Sequence, residues 1–162
     1  MYISVSVNKI NLYMATRSDF KKLALIRLKS AKKLLDAKDW EGSGYFMGLS
    51  LECALKACTC KTLRITDYPE SHKDKKVPDF FMTHSFLRLL LLSGLSDLFN
   101  IKSLNTVPFT NWSNFTIQYP GEWMAVRYDP NYFNNKNIVQ LYNFLFLDNH
   151  SIIKTIKDKK RW

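Results

Sequence analysis

The sequence has no hydrophobic run that is long enough to cross a membrane. Its longest apolar run, LRLLLLSGL at 87–95, is too short to span a bilayer and contains an arginine. The first residues, MYISVSVNKINLY, lack both the long apolar core and the small-residue cleavage site of a secretory signal. We therefore predict a cytoplasmic protein without a membrane partner.

Cysteine is scarce, and its spacing fits no known framework. Cys53, Cys58 and Cys60 all lie within one apolar stretch, where thiols behave as small buried hydrophobes. An odd number of cysteines without a paired pattern argues for a reducing compartment. The spacing C-x4-C-x-C matches no zinc pattern. The sequence therefore predicts no metal site, and no motif in it indicates a cofactor.

Acidic residues are also few. The chain has 24 Lys and Arg against 14 Asp and Glu, which gives a formal net charge of +10. Such an excess favours polyanionic partners such as RNA, DNA or an acidic protein. It is equally typical of a basic domain whose lysines are only solvated. Charge alone leaves both interpretations open.

The composition is that of a folded domain. Of the 162 residues, 46% are hydrophobic and 14% aromatic, which is enough to bury a core. Residues 1–13 alternate weakly in the manner of a strand, and a helical period begins at residue 18. We predict an N-terminal extension over 1–17 and one helical domain over 18–162.

Apolar spacing predicts an all-α bundle of four main helices. The first is amphipathic and covers about 18–37; the second, 45–63, is apolar almost all round, which is typical of a central helix. A long charged connection, 64–82, precedes the third helix, which begins near THSFLRLLLLSGL. A short helix is expected around 109–119, and NNKNIVQLYNFLFLDNHSIIKTIKDKKRW reads as one last helix.

The central helix has one polar stripe, formed by Gly48, Glu52 and Lys56 at four-residue steps. Glu52 and Lys56 are placed to pair as i and i+4, with the acid on the favourable N-terminal side. A charge on so apolar a helix is costly unless it is paired. We therefore predict an internal ion pair that fixes the register of this helix.

Three segments, GYFMGLSLECALKAC, THSFLRLLLLSGL and WMAVRY, together resemble the HEPN domain family. Their order is that of the family: a buried helix with an embedded Glu and Lys, a His before the next helix, and an Arg-Tyr before the last. The resemblance covers about 18–158. It implies a small helical bundle that forms homodimers and belongs to toxin–antitoxin, phage-defence or RNA-processing systems. Nuclease members of the family cut RNA without a metal.

The chain departs from the nuclease pattern at one position. Those members carry an Arg and, after a short polar spacer, a His; the Arg corresponds to Arg127, but no His stands near Tyr132, and the next one is His150. Metal-free cleavage needs a group that transfers protons near neutral pH, which is the role of His. An Arg stays protonated, and Tyr132, with an ordinary pKa of about 10, is a poor base.

Three functions remain open from the sequence. The first is a non-catalytic or weakly catalytic module that binds RNA or nucleotide phosphate. In it Arg127 contacts phosphate, Glu52 and Lys56 position that arginine, Tyr128 shapes the cleft and Tyr132 adds a contact.

The second is a metal-independent RNase in which His84 replaces the lost histidine and acts with Arg127. The third is an interaction module for a nucleotidyltransferase-like protein, with Arg127 as a buried residue tied to Glu52. Whether the chain is an enzyme therefore stays open. The aromatic residues allow either base stacking or packing of a long connection; they are Trp112, Phe115, Tyr119, Trp123, Tyr128 and Tyr132.

Overall fold

A computed structural model describes residues 15–69, 76–99, 106–159 and 162. The α-helices in these ranges are α1 (Arg17–Asp36), α2 (Trp40–Leu63), α3 (Lys76–Phe81), α4 (Phe86–Leu92), α5 (Ser96–Phe99), α6 (Val107–Thr116), α7 (Asn135–Tyr142) and α8 (Ile152–Asp158). A 3-10 helix covers Trp123–Tyr128 and a π-helical turn covers Asn143–Leu147.

These ranges contain no strand, only one isolated bridge between Thr16 and Asp67, so the all-α prediction is confirmed. None of the described helices is long and apolar enough to cross a membrane. The strand-like alternation predicted for 1–13 lies outside the described residues.

Helix α1 begins one residue before the predicted start because Thr16 caps it. The Thr16 hydroxyl accepts a hydrogen bond from the Asp19 backbone N–H at 3.2 Å, and Asp19 Oδ2 accepts one from the Thr16 N–H at 2.9 Å. This reciprocal capping box satisfies two backbone donors that the helix leaves unpaired. Residues 15–17 also bond to the segment after α2: Arg17 N donates to Thr66 O at 2.8 Å and Tyr68 N to Ala15 O at 3.2 Å.

Helix α2 is the central helix, as predicted, but it begins at Trp40 rather than at residue 45. Asp39 caps it by accepting a hydrogen bond from Gly42 N at 2.8 Å. Two glycines of α2, Gly44 and Gly48, are packing positions. A Cβ on Gly44 would lie 2.4 Å from the Phe133 ring, and one on Gly48 would lie 2.5 Å from the Trp123 ring. Close approach of these aromatics therefore outweighs the low helix propensity of glycine.

Helices α1 and α2 pack side by side in opposite directions. The Ser43 hydroxyl donates to Ala31 O at 2.9 Å, and the Ser50 hydroxyl donates to Ala24 O at 2.8 Å. Both serines are fully buried, so each hydroxyl has its hydrogen bond inside the core. Two such bonds fix the register of the pair.

The predicted third main helix is short. Ser85 caps α4 by accepting a hydrogen bond from Arg88 N at 3.4 Å. The helix ends at Leu92, just before Gly94, which has a positive φ of 66°. This left-handed conformation favours glycine, as expected after a helix end. The predicted loop over 64–82 contains α3.

The prediction of one continuous last helix is wrong. The segment forms α7, the π-helical turn and α8, with an irregular break over 148–151. At the break Asp148 Oδ1 accepts a hydrogen bond from His150 N at 2.8 Å, and the Ser151 hydroxyl donates to Phe146 O at 2.9 Å. Short polar side chains offer the backbone these alternatives to the helix. The four-helix arrangement of the resembled family stays a prediction.

Candidate functional site

The centre of the candidate site is the buried carboxylate of Glu52 on α2. This residue is only 5% exposed. Glu52 Oε1 lies 2.9 Å from Lys56 Nζ, and Oε2 lies 2.8 Å from Trp123 Nε1 and 3.0 Å from His84 Nδ1. We call these four residues, Glu52, Lys56, His84 and Trp123, the Glu52 cluster. The predicted i,i+4 ion pair is therefore confirmed, and two further partners come from distant parts of the chain.

Lys56 is enclosed by the core. Its Nζ lies 5.7 Å from the Phe20 ring centroid and 5.1 Å from the Tyr68 ring centroid, and the residue is 4% exposed. Ring faces and a carboxylate together stabilise an ammonium that has been removed from water. In this arrangement Lys56 has no exposed charge with which to contact a phosphate.

Trp123 connects the 3-10 helix to the cluster. The side chain is fully buried, lies against Gly48 and stacks on Phe86 with ring centroids 5.7 Å apart. A buried indole N–H needs an acceptor, which Glu52 provides. The sequence analysis did not pair Trp123 with Glu52. The available signals were the glycine one turn before Glu52 and the absence of another acid within the apolar stretch 45–63.

His84 lies two residues before α4 and is the solvent-accessible member of the cluster. Its side chain is 45% exposed. The hydrogen bond with Glu52 raises the pKa of His84 above its usual 6.5, although partial burial and the charge of Lys56 oppose the shift; the Glu122 carboxylate adds to it. His84 Nε2 forms no hydrogen bond within the described part of the chain. Glu52 therefore holds one ring nitrogen while the imidazole still reaches solvent.

Glu52 stays ionised in spite of its burial. Burial acts against the charged form, but the hydrogen bond from His84 and the charge of Lys56 outweigh it, so the pKa of Glu52 lies below its usual value. A carboxylate bonded to Nδ1 favours the imidazole tautomer in which Nε2 accepts a proton. A half-exposed imidazole with an orienting acid is suited to general acid–base chemistry.

Arg127 and Tyr128 lie outside the cluster. Both are exposed, Tyr128 to 75%, and the Arg127 guanidinium lies 4.8 Å from the centroid of the Tyr128 ring. No carboxylate among the described residues forms an ion pair with Arg127. The interpretation of Arg127 as a buried partner of Glu52 is therefore wrong. No hydrogen bond or ion pair joins Arg127 to Glu52 or Lys56 in the described part of the chain, so the expectation that these two residues position Arg127 stays a prediction.

The 3-10 geometry explains this exposure. With three residues per turn, side chains three positions apart lie on one line along the helix. Trp123 and Val126 share such a line and are 0% and 3% exposed. Arg127 and Tyr128 fall on the other two lines, so anchoring the helix through Trp123 directs both away from the core.

The other predicted contact residue, Tyr132, packs against Phe133 with ring centroids 5.0 Å apart. Partial burial, together with the nearby Asp129 carboxylate, raises the pKa of Tyr132 above its usual 10. This makes it a still poorer base near neutral pH. Four of the remaining aromatics that the sequence singled out pack in the core; they are Trp112, Phe115, Tyr119 and Trp123.

Metal ligands do not converge in the described ranges, where no group of three His, Cys, Asp or Glu side chains is placed to hold an ion. All three cysteines are buried and free of disulfides. Burial, with a smaller effect of the Asp67 carboxylate, raises the pKa of Cys60 to about 11. A thiol with so high a pKa is mostly protonated near neutral pH and therefore a weak nucleophile.

Comparisons of the chain with protein-family models, with curated proteins and with solved structures found no match.

Proposed function

We propose that the protein is a HEPN-type helical module that binds RNA or nucleotide phosphate, acts as a homodimer and belongs to a defence or toxin–antitoxin type system. The observation that supports this best is the exposed Arg127 guanidinium, which lies against the exposed Tyr128 ring and has no carboxylate partner among the described residues. A net charge of +10 adds a general attraction for polyanions.

The Arg127–Tyr128 pair combines two groups that proteins use to recognise single-stranded RNA. A guanidinium is planar and always charged, and it bonds phosphate oxygens with two parallel N–H donors. An exposed tyrosine ring is a surface on which a base stacks. Because Trp123 anchors the same 3-10 helix in the core, both groups are presented from a fixed backbone, which lowers the entropy lost on binding.

The test is the affinity of purified protein for single-stranded RNA at low salt. Arg127→Ala is compared with Lys159→Ala, which removes the same charge from an exposed position near the end of α8. Binding that weakens steeply with salt, and weakens about tenfold or more in Arg127→Ala alone, is the expected result. Equal affinities of the two variants would mean that only net charge matters. Absence of binding at low salt would leave the interaction-module hypothesis.

A second candidate function, metal-independent RNA cleavage, rests on a different observation, the hydrogen bond between Glu52 and His84. In such a reaction neutral His84 takes the proton of the 2′-hydroxyl as the 2′ oxygen attacks phosphorus. The bond from phosphorus to the 5′ oxygen then breaks, and the imidazolium returns the proton to that oxygen. Arg127 would stabilise the charge on the phosphorane.

Cleavage is tested in EDTA with RNA and with a matched oligonucleotide that carries one 2′-deoxy position at the cut. Loss of cleavage in His84→Ala, in Arg127→Ala and at the 2′-deoxy position would support this function. Intact RNA with wild-type protein, under conditions in which it is bound, would exclude it and leave binding as the activity.

A further inference from the structure

A groove of about 410 Å³ lies beside the Glu52 cluster. Aromatic and aliphatic side chains from α4, α6 and the segment after α6 line most of it; they are Phe86, Leu87, Trp112, Ile117 and Tyr119. Leu87 and Ile117 are 62% and 75% exposed at its rim, whereas Trp112 and Tyr119 are only 7% and 6% exposed. The groove thus has an aromatic interior and an open apolar edge.

Chain continuity connects this groove to the cluster at two points. Ser85, which lines the groove, directly follows His84, and Gly121, which also lines it, lies two residues before Trp123. Phe86 in the groove wall also stacks on Trp123, with ring planes only 4° apart. The groove wall is therefore continuous with two members of the Glu52 cluster, His84 and Trp123.

Polar groups in the wall are few but available. Neither the Ser113 hydroxyl nor the Trp112 indole N–H forms a hydrogen bond within the described residues, and both residues line the groove. The Thr116 hydroxyl, in contrast, already donates to Trp112 O at 2.9 Å. A mostly apolar site of 300–1,000 Å³ with a few polar groups is typical of small-ligand binding.

The charge at the Gly121 end favours a neutral occupant. Glu122 is exposed there, and its carboxylate repels a phosphate. A base is planar, uncharged and able to use hydrogen-bond donors along its edge. The aromatic wall and the free Trp112 and Ser113 groups match that chemistry.

A second groove, of about 390 Å³, shares part of this wall. Leu87, Trp112, Ser113 and Thr116 line both cavities. Two neighbouring cavities with a common aromatic wall fit successive bases of one strand better than a single isolated ligand.

We propose that the groove formed by α4, α6 and the segment up to Gly121 binds a nucleobase of single-stranded RNA whose phosphates contact Arg127. This inference rests on the proposed function and adds to it a site that recognises bases. The phosphates and the bases are then held by different surfaces, so the two contacts can be removed separately.

The test uses two RNA octamers with the same phosphates, one normal and one in which every base is replaced by an abasic site. A groove variant, Leu87→Ser with Ile117→Ser, removes the exposed apolar rim without changing net charge. Its matched control is Val139→Ser with Leu147→Ser, which are 47% and 51% exposed on α7 and on the π-helical turn. Affinities are measured by fluorescence anisotropy, and unchanged melting temperatures verify that both variants fold.

Wild-type protein is expected to bind the normal octamer about tenfold more tightly than the abasic one. The groove variant should lose this preference and bind the abasic octamer as wild type does, whereas the control variant should keep it.

Equal affinity of wild-type protein for both octamers, combined with weaker binding by Arg127→Ala, would overturn the base site and leave the proposed function standing. A groove variant that changes the oligomeric mass but not the preference would overturn the base site in favour of a protein interface. Failure of wild-type protein to bind either octamer would overturn the proposed function and this inference together.

Discussion

The two ends of the 3-10 helix place their polar groups in opposite environments. At one end the Trp123 indole N–H is buried and bonded to Glu52, whose two oxygens also contact Lys56 and His84. At the other end Arg127 is exposed and lies against an aromatic ring, and no carboxylate of the described residues forms an ion pair with it. Charge on the buried side is balanced within the protein, whereas Arg127 on the exposed side has no ion-pair partner among the described residues. Burial, rather than residue type, therefore separates the charges that stabilise the fold from the charge that we propose binds RNA.

The largest expected effect on stability follows from removing the buried acid. Glu52→Ala leaves Lys56 buried without its carboxylate, so we expect a loss of about 3–5 kcal/mol in the free energy of unfolding. The control is Asp36→Ala, which breaks an i,i+4 pair with Lys32 whose side chains are 44% and 62% exposed and should cost about 0–1 kcal/mol. Denaturant unfolding measures both. Equal costs would show that the cluster does not hold the fold together.

A smaller loss of stability is expected when only the indole N–H of Trp123 is removed. Trp123→Phe keeps an aromatic ring but removes one donor from buried Glu52, which should cost about 1–3 kcal/mol. Trp112→Phe is the matched control, because its indole N–H has no hydrogen-bond partner among the described residues. Comparable losses in the two variants would attribute the effect to ring volume instead of the hydrogen bond.

The pH dependence of stability tests the buried side of this comparison through His84. The pKa of His84 is raised above 6.5 in the folded protein. The contribution of His84 to the free energy of unfolding is therefore complete below pH 6.5 and is lost as pH rises through the folded pKa. As pH rises above 6.5, wild-type stability should therefore fall more than that of His84→Gln. Unfolding free energies across this range measure the difference. Parallel curves for the two proteins would contradict the interaction of His84 with Glu52.

Local features were readable from the sequence. Glu52 and Lys56 are one helical turn apart, so their pairing follows from spacing alone. The apolar character of α2 likewise predicted a central helix. The start of α2 was not predicted, because Gly42 and Gly44 read as an interruption until the Phe133 ring that packs on Gly44 is known.

The long-range partners of Glu52 could not be predicted from the sequence in the same way. His84 and Trp123 lie 32 and 71 positions from Glu52, and no local period connects them. Exposure of Arg127 depends on which line of a 3-10 helix is buried, and the sequence does not mark that helix type. The break in the last helix depends on side chains that bond to their own backbone at Asp148 and Ser151, which hydrophobic periodicity does not detect.

The most direct test of the division between buried and exposed charge measures stability and RNA affinity on the same variant, Arg127→Ala. We expect its free energy of unfolding to stay within about 0.5 kcal/mol of wild type, because an exposed residue is replaced. Its affinity for single-stranded RNA should fall, and the slope of log affinity against log salt should decrease by about one. Wild-type affinity together with a stability loss as large as that of Glu52→Ala would contradict this division and make Arg127 a structural residue.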